Sequence, residues 1–171
     1  MRAQAVTPAV SCLLILAIAC APPPEEEAPV LEEAVSTQAD LEAVRALLDE
    51  YVAAENAGDV ERILALTTDD GWASPPGEPP IAGKEAWRSW WEDLYAEYNL
   101  QGSASDVEIQ AFGSWGFIRG IWEATLTPKE GGEPQTDSYS FIVIVRRDAD
   151  GTWKQARAVW NRNAPAPGGE Q

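Results

Sequence analysis

The sequence predicts an α+β domain, with about three N-terminal helices packed on a curved antiparallel sheet and a pocket between the two layers. Three observations carry this expectation. From residue 37 to about residue 98, apolar side chains recur at helical spacing. Beyond residue 100 the period changes to two. Two turn signals, GGEP (131–134) and DADG (148–151), then divide the second half into segments of strand length. Helices followed by a meander of strands define the class.

Residues 1–19 form a separate piece ahead of that domain. Arg2 is their only charge, and VSCLLILAIAC (10–20) is an apolar run. The run is shorter than the roughly 20 residues needed to span a bilayer, and it fits the core of an export signal. Its end, Leu16-Ala17-Ile18-Ala19-Cys20, resembles a bacterial lipobox. That resemblance implies lipidation of Cys20 and a membrane held only through the lipid. It also implies a protein facing the periplasm, at the outer membrane in a Gram-negative host because Ala21 follows the cysteine. The alternative is an ordinary signal peptide cut after Ala19, which exports the chain without an anchor. Residues 20–36 continue as APPPEEEAPVLEEAV (21–35), too proline-rich and acidic to order themselves. They read as a tether reaching about 50 Å when extended.

The folded domain is expected over 37–163, with 164–171 as a disordered tail. Thr37 starts the first helix, and Asp40 stands at the capping-box spacing. Leu41, Val44, Leu48, Tyr51 and Val52 define its buried face. Gly58 ends it, and Asp59 caps a short second helix carrying Val60, Ile63, Leu64 and Leu66. Residues 69–82, with four prolines, read as a loop. Gly83 precedes a third helix striped by Trp87, Trp91, Leu94 and Tyr98. Strands are expected near 104–112, 115–127, 136–147 and 152–162.

Composition narrows the function. Only Cys12 and Cys20 are present, so the domain contains no disulfide and rests on packing. Removing residues 1–19 takes away one of 12 bases and none of the 28 acids, leaving a net charge of −17. That balance argues against a nucleic-acid partner. The chain has no histidine, which removes Ser-His-Asp and Cys-His catalysis and His-ligated metals. No phosphate-cradling motif or other cofactor signature is present, so no cofactor is expected. Asp69 and Asp70 without further oxygen ligands at fixed offsets read as a turn, and no metal site is expected.

Four stretches then carry a resemblance: YVAAENAGDVERILALTTDD (51–70), PPGEPPIAGKEAWRSWW (75–91), WEATLTPKEGGEP (122–134) and DGTWKQARAVWNRN (150–163). They resemble the nuclear-transport-factor-2-like superfamily, in its SnoaL-like/DUF4440 branch, related to the ketosteroid isomerases. The resemblance implies an NTF2-like, cystatin-like cone with a pocket between helices and sheet, and often a homodimer formed through the sheet. Steroid isomerases of this fold use a carboxylate base and an oxyanion hole made by a tyrosine and a protonated aspartic acid. The tyrosine matches Tyr51. The base falls near Ser74, Pro75 or Pro76 and the protonated acid near Val143. One of three roles survives, so steroid isomerisation is not expected.

Three readings of function follow. The first is a module binding a small, mainly apolar organic molecule. Its candidate ligand contacts are Tyr51, Trp72, Trp87, Trp91, Trp122, Tyr139, Arg157, Trp160 and Asn161. Trp72 in this reading is a lid at the pocket mouth, and Arg157 either holds an anionic group or pairs with an acid. The second is an isomerase-like or dehydratase-like enzyme using Tyr51 with Glu123 or Asp137 as its catalytic groups. The third is a dimeric interaction domain with a vestigial pocket. Alternation along the third expected strand places Trp122, Ala124 and Leu126 on one face and Arg119 and Glu123 on the other.

Overall fold

A computed structural model describes residues 37–164. The expected signal segment, Cys20, the expected tether and the residues from 165 onward lie outside the described residues.

Helix α1 (Gln38–Ala57) is fixed at both ends by the residues that announce it. The Thr37 hydroxyl accepts from the Asp40 amide at 3.1 Å, and the Asp40 carboxylate accepts from the Thr37 amide at 3.4 Å. Gly58 terminates the helix at φ 66°, a left-handed conformation that a Cβ would oppose, and donates to the Ala54 and Glu55 carbonyls. Asp59 then accepts from the Arg62 amide at 3.1 Å and starts α2 (Val60–Ala65). Val44, Leu47, Tyr51 and Ala54 are the fully buried face of α1.

After α2 the structure departs from the expected loop. Residues 67–74 form β1 (Thr67–Ser74), and Ile81–Ala82 pair back on it as β2. The four prolines fall in the connection between these strands, off the paired positions, where a missing amide costs no ladder bond. The segment hides its strand character because both Thr67 and Thr68 are buried and the register shifts before Trp72. No period of two is visible there. Helix α3 (Lys84–Glu97) follows, then β3 (Tyr98–Phe112), β4 (Trp115–Pro128), β5 (Gln135–Arg147) and β6 (Trp153–Arg162). β3 begins at Tyr98, not near residue 104. Tyr98 therefore belongs to the sheet, paired with Pro128, and not to the helix stripe.

The six strands form one sheet in the order β2-β1-β6-β5-β4-β3. β3 to β6 are the antiparallel meander, but β1 lies parallel to β6, so the sheet is mixed. Helices α1 and α3 pack on its inner face. The core has two clusters, one around Val44, Leu47, Ile118 and Val145, the other around Tyr51, Trp87, Trp91 and Leu100.

Candidate functional site

A cavity of about 320 Å³ lies between the helices and the inner face of the sheet. The period of each element decides what reaches it. On α1, Leu47, Leu48, Tyr51, Val52 and Glu55 share one side at steps of three and four. From α3 come Trp87, Trp90, Trp91 and Leu94. From β4 come Ile118, Trp122, Ala124 and Leu126, and from β5 Tyr139, Phe141, Val143 and Val145, each set on one alternation of its strand. β6 adds Gln155, Ala158, Trp160 and Arg162, with its alternation reset by the irregularity opposite Ile144 and Val145. Glu78 and Arg162, both exposed, mark where the lining meets the surface.

Aromatic rings dominate the helical wall. Trp87 and Trp91 stack with ring centroids 6.1 Å apart, and Trp91 stacks on Tyr95 at 5.4 Å. Trp90 stands edge-on to Trp91 at 4.8 Å and to Trp160 at 6.0 Å, joining helix to sheet. Such pairs add about 0.5–1.5 kcal/mol each beyond area burial and hold the wall rigid. Opposite, Gly102 leaves room for Trp122. A Cβ there would stand 2.0 Å from the indole.

The polar groups are few. The Tyr51 hydroxyl accepts from Gln155 Nε2 at 3.3 Å. Burial, and then the nearby Glu55, hold that phenol well above its ordinary range, so it stays neutral. Tyr95 donates its hydroxyl to the Glu55 backbone carbonyl at 2.7 Å. The Glu55 carboxyl is different. Burial pushes it up to about 8, and no hydrogen bond or charge offsets that cost. It is a carboxylic acid at neutral pH, on the cavity wall, four residues from Tyr51.

Six of the expected contacts therefore meet at this cavity: Tyr51, Trp87, Trp91, Trp122, Tyr139 and Trp160. The five other candidates do not. Trp72 lies in β1, paired with Arg157 and Ala82, and does not line the cavity, so the lid reading fails. Arg157 and Asn161 sit opposite Ile144 and Ser140, on the outer face of the sheet. Arg157 pairs there with Asp70 at 3.3 Å, which Arg146 also holds at 2.7 Å. Those two arginines keep the Asp70 carboxyl well below its usual range, the Arg146 bond most of all. Glu123 is exposed on the outer face, between Ser103 and Ser138. It cannot reach Tyr51 through the sheet. Asp137 pairs with Arg162 at 3.1 Å and is not part of the lining. It is not a neighbour of Glu123 on one face, because it stands opposite Ala124. Asp69 and Asp70 lie in β1, not in a helix-end turn, and Asp69 pairs with Lys84 at 2.8 Å. Sequence reasoning missed Glu55, Gln155 and Arg162. The i, i+4 step from Tyr51 was the available signal for Glu55.

A helix-covered curved sheet with an aromatic cavity defines the class of protein, and the comparisons place the chain within it. The SnoaL-like domain family matches residues 48–156, and the chain belongs to that family. A ketosteroid isomerase-like protein from Erwinia carotovora atroseptica SCRI1043 is 26% identical, with a TM-score of 0.67 over 75% of this chain and 100% of that one. A conserved protein from Planctomyces limnophilus DSM 3776 is 25% identical, with a TM-score of 0.68 over 74% of this chain and 100% of that one. A candidate scytalone dehydratase from Novosphingobium aromaticivorans DSM 12444 shares the fold at 16% identity, with a TM-score of 0.68 over 74% of this chain and 85% of that one. No curated protein matches the chain significantly.

Proposed function

We propose that this SnoaL-like domain binds one small, mainly apolar organic molecule in its cavity. The observation that carries the reading is a volume of about 320 Å³ walled by stacked indoles, at the small end of ligand pockets. The chemistry of the wall favours binding over steroid isomerisation. Pro75, Pro76 and Val143 line the cavity, and these are among the positions that the family resemblance would give to a base and a second acid. None can exchange a proton. A Δ5-ketosteroid should show no turnover approaching that of a true isomerase, since losing a general base costs about 10²- to 10⁴-fold.

The test is native mass spectrometry of the purified full chain for a co-purified small molecule, with tryptophan fluorescence titrated against neopentylbenzene. Binding should be saturable and lost in Ala158→Phe, which fills the cavity. Unchanged binding in a folded Ala158→Phe would refute the reading.

A second reading concerns the outer face of the sheet. Ile142 is 43% exposed, beside Ile144, which pairs with Phe117. This patch suits a homodimer through the sheet. Light scattering should give twice the monomer mass, reduced to the monomer by Ile142→Glu. Export and anchoring through Cys20 complete the proposal, and they rest on residues 10–20 of the sequence.

A further inference from the structure

The cavity wall carries one carboxyl that the protein leaves without a partner. Glu55 lines the cavity and is half-buried. Among the described residues its carboxyl makes no hydrogen bond or ion pair. The titratable and charged groups around the cavity are already engaged. Tyr51, on the same helix, is held by Gln155, and Tyr95 on α3 donates to the Glu55 main chain. Glu78, between β1 and β2, accepts from Trp90 Nε1 at 2.9 Å. Arg162 on β6 pairs with Asp137, and its guanidinium lies 5.9 Å from the centre of the Tyr139 ring on β5. Among the described residues that line the cavity, no cation is free to neutralise Glu55.

Two features of the wall select the same ligand chemistry. An ionised carboxyl in an apolar site needs a positive charge close by. The faces of Trp rings carry negative potential and attract a cation within about 6 Å. A neutral ligand would use the acid only as a single hydrogen-bond donor and would gain nothing charge-specific from the rings. Resting on the binding role proposed above, we infer that the ligand carries one positive charge. It is a small lipophilic amine or quaternary ammonium, held with its cation at Glu55 among the aromatic rings that line the cavity and its apolar part against Leu94, Leu100 and Leu126.

This inference fixes a proton balance. In the empty cavity Glu55 holds its proton at pH 7, because burial has raised it to about 8. A permanent cation binds the ionised form, so the proton leaves as the ligand enters. Affinity then rises with pH in proportion to the ionised fraction, about fifty-fold from pH 6 to pH 8, and levels off above.

The experiment is calorimetry on the full chain with benzyltrimethylammonium and its uncharged carbon isostere, neopentylbenzene. It is run from pH 6 to 9 and in two buffers of different ionisation enthalpy. The cation should bind more tightly at pH 8, release close to one proton at pH 7, and follow the fifty-fold profile. Glu55→Gln should abolish both the proton release and the profile and weaken the cation at least tenfold at pH 8. Equal or tighter binding of neopentylbenzene, with no proton release by the cation, would overturn the charge and leave the binding role standing. Failure of both probes in the wild-type chain would overturn both. The wild-type profile decides the matter even if Glu55→Gln folds poorly.

Discussion

The Glu55 carboxyl should make the protein less stable as pH rises through neutrality, and a single substitution should remove that loss. The sign follows from the direction of the shift. An acid whose folded pKa is raised keeps its proton in the native state after the unfolded chain has released it. Its penalty is absent below about 4.5 and complete above about 8. At 1.36 kcal/mol per pH unit, the full penalty is about 4–5 kcal/mol. About half of it develops between pH 6 and pH 8. Glu55→Gln keeps the shape and removes the titration. The difference between variant and wild type, from urea unfolding at pH 6, 7 and 8, should therefore shift by about 2–3 kcal/mol in favour of the variant. Taking the difference cancels the other carboxylates. A difference that stays flat across this range would mean that Glu55 is solvated as an ordinary surface acid, and the cavity account of it would be wrong.

Four further outcomes test the surrounding structure and the anchor. Trp91→Ala should cost about 3–5 kcal/mol in urea unfolding, because its ring packs between those of Trp87 and Tyr95. Trp72→Ala should leave ligand affinity unchanged, since β1 turns it away from the cavity; a tenfold loss in fluorescence titration would restore the lid. Asp70→Asn should cost about 1 kcal/mol at pH 7, a modest value because the pair with Arg146 and Arg157 is half exposed. This contribution is present above the ordinary aspartate range and fades as pH falls below it, so wild type and variant should converge in acid unfolding. Metabolic labelling with a fatty-acid analogue should mark the wild-type chain and not Cys20→Ser; equal labelling would remove the anchor.

The parts of the fold legible in the sequence were those governed by local rules. Thr37 with Asp40, Gly58, and Asp59 stand at the ends of α1 and α2 because orphan amides and carbonyls there need those side chains. The meander was legible because each of its strands exposes one face. β1 was not. It adds to the sheet edge in parallel with β6, a long-range pairing, and it buries Thr67 and Thr68 side by side. Nothing in TTDDGWAS announces a partner more than eighty residues away. Prolines around the β1–β2 turn then made the whole segment resemble a loop.

The site divides along a similar line. Aromatic residues on an apolar stripe point inward for the same reason that forms the core, so Trp87, Trp91 and Trp122 could be placed from spacing. Charged residues carry no such signal in a chain with 28 acids, where the cheapest position for each is water. Alternation already put Glu123 on the face opposite Trp122; only burial there would have made it an acid catalyst, and it is exposed. Glu55 looked like one more surface acid, although YVAAE places it one helical turn from Tyr51. A carboxyl on the buried side of a helix, with the helix ends satisfied and no partner among the described residues, adds nothing to the stability of the fold. Glutamine or leucine at that position would pack at lower cost near neutral pH. A ligand that uses the carboxyl would offset the cost, and the lining around it, apolar and aromatic with its one described cation, Arg162, paired to Asp137, is what a positively charged apolar molecule would meet.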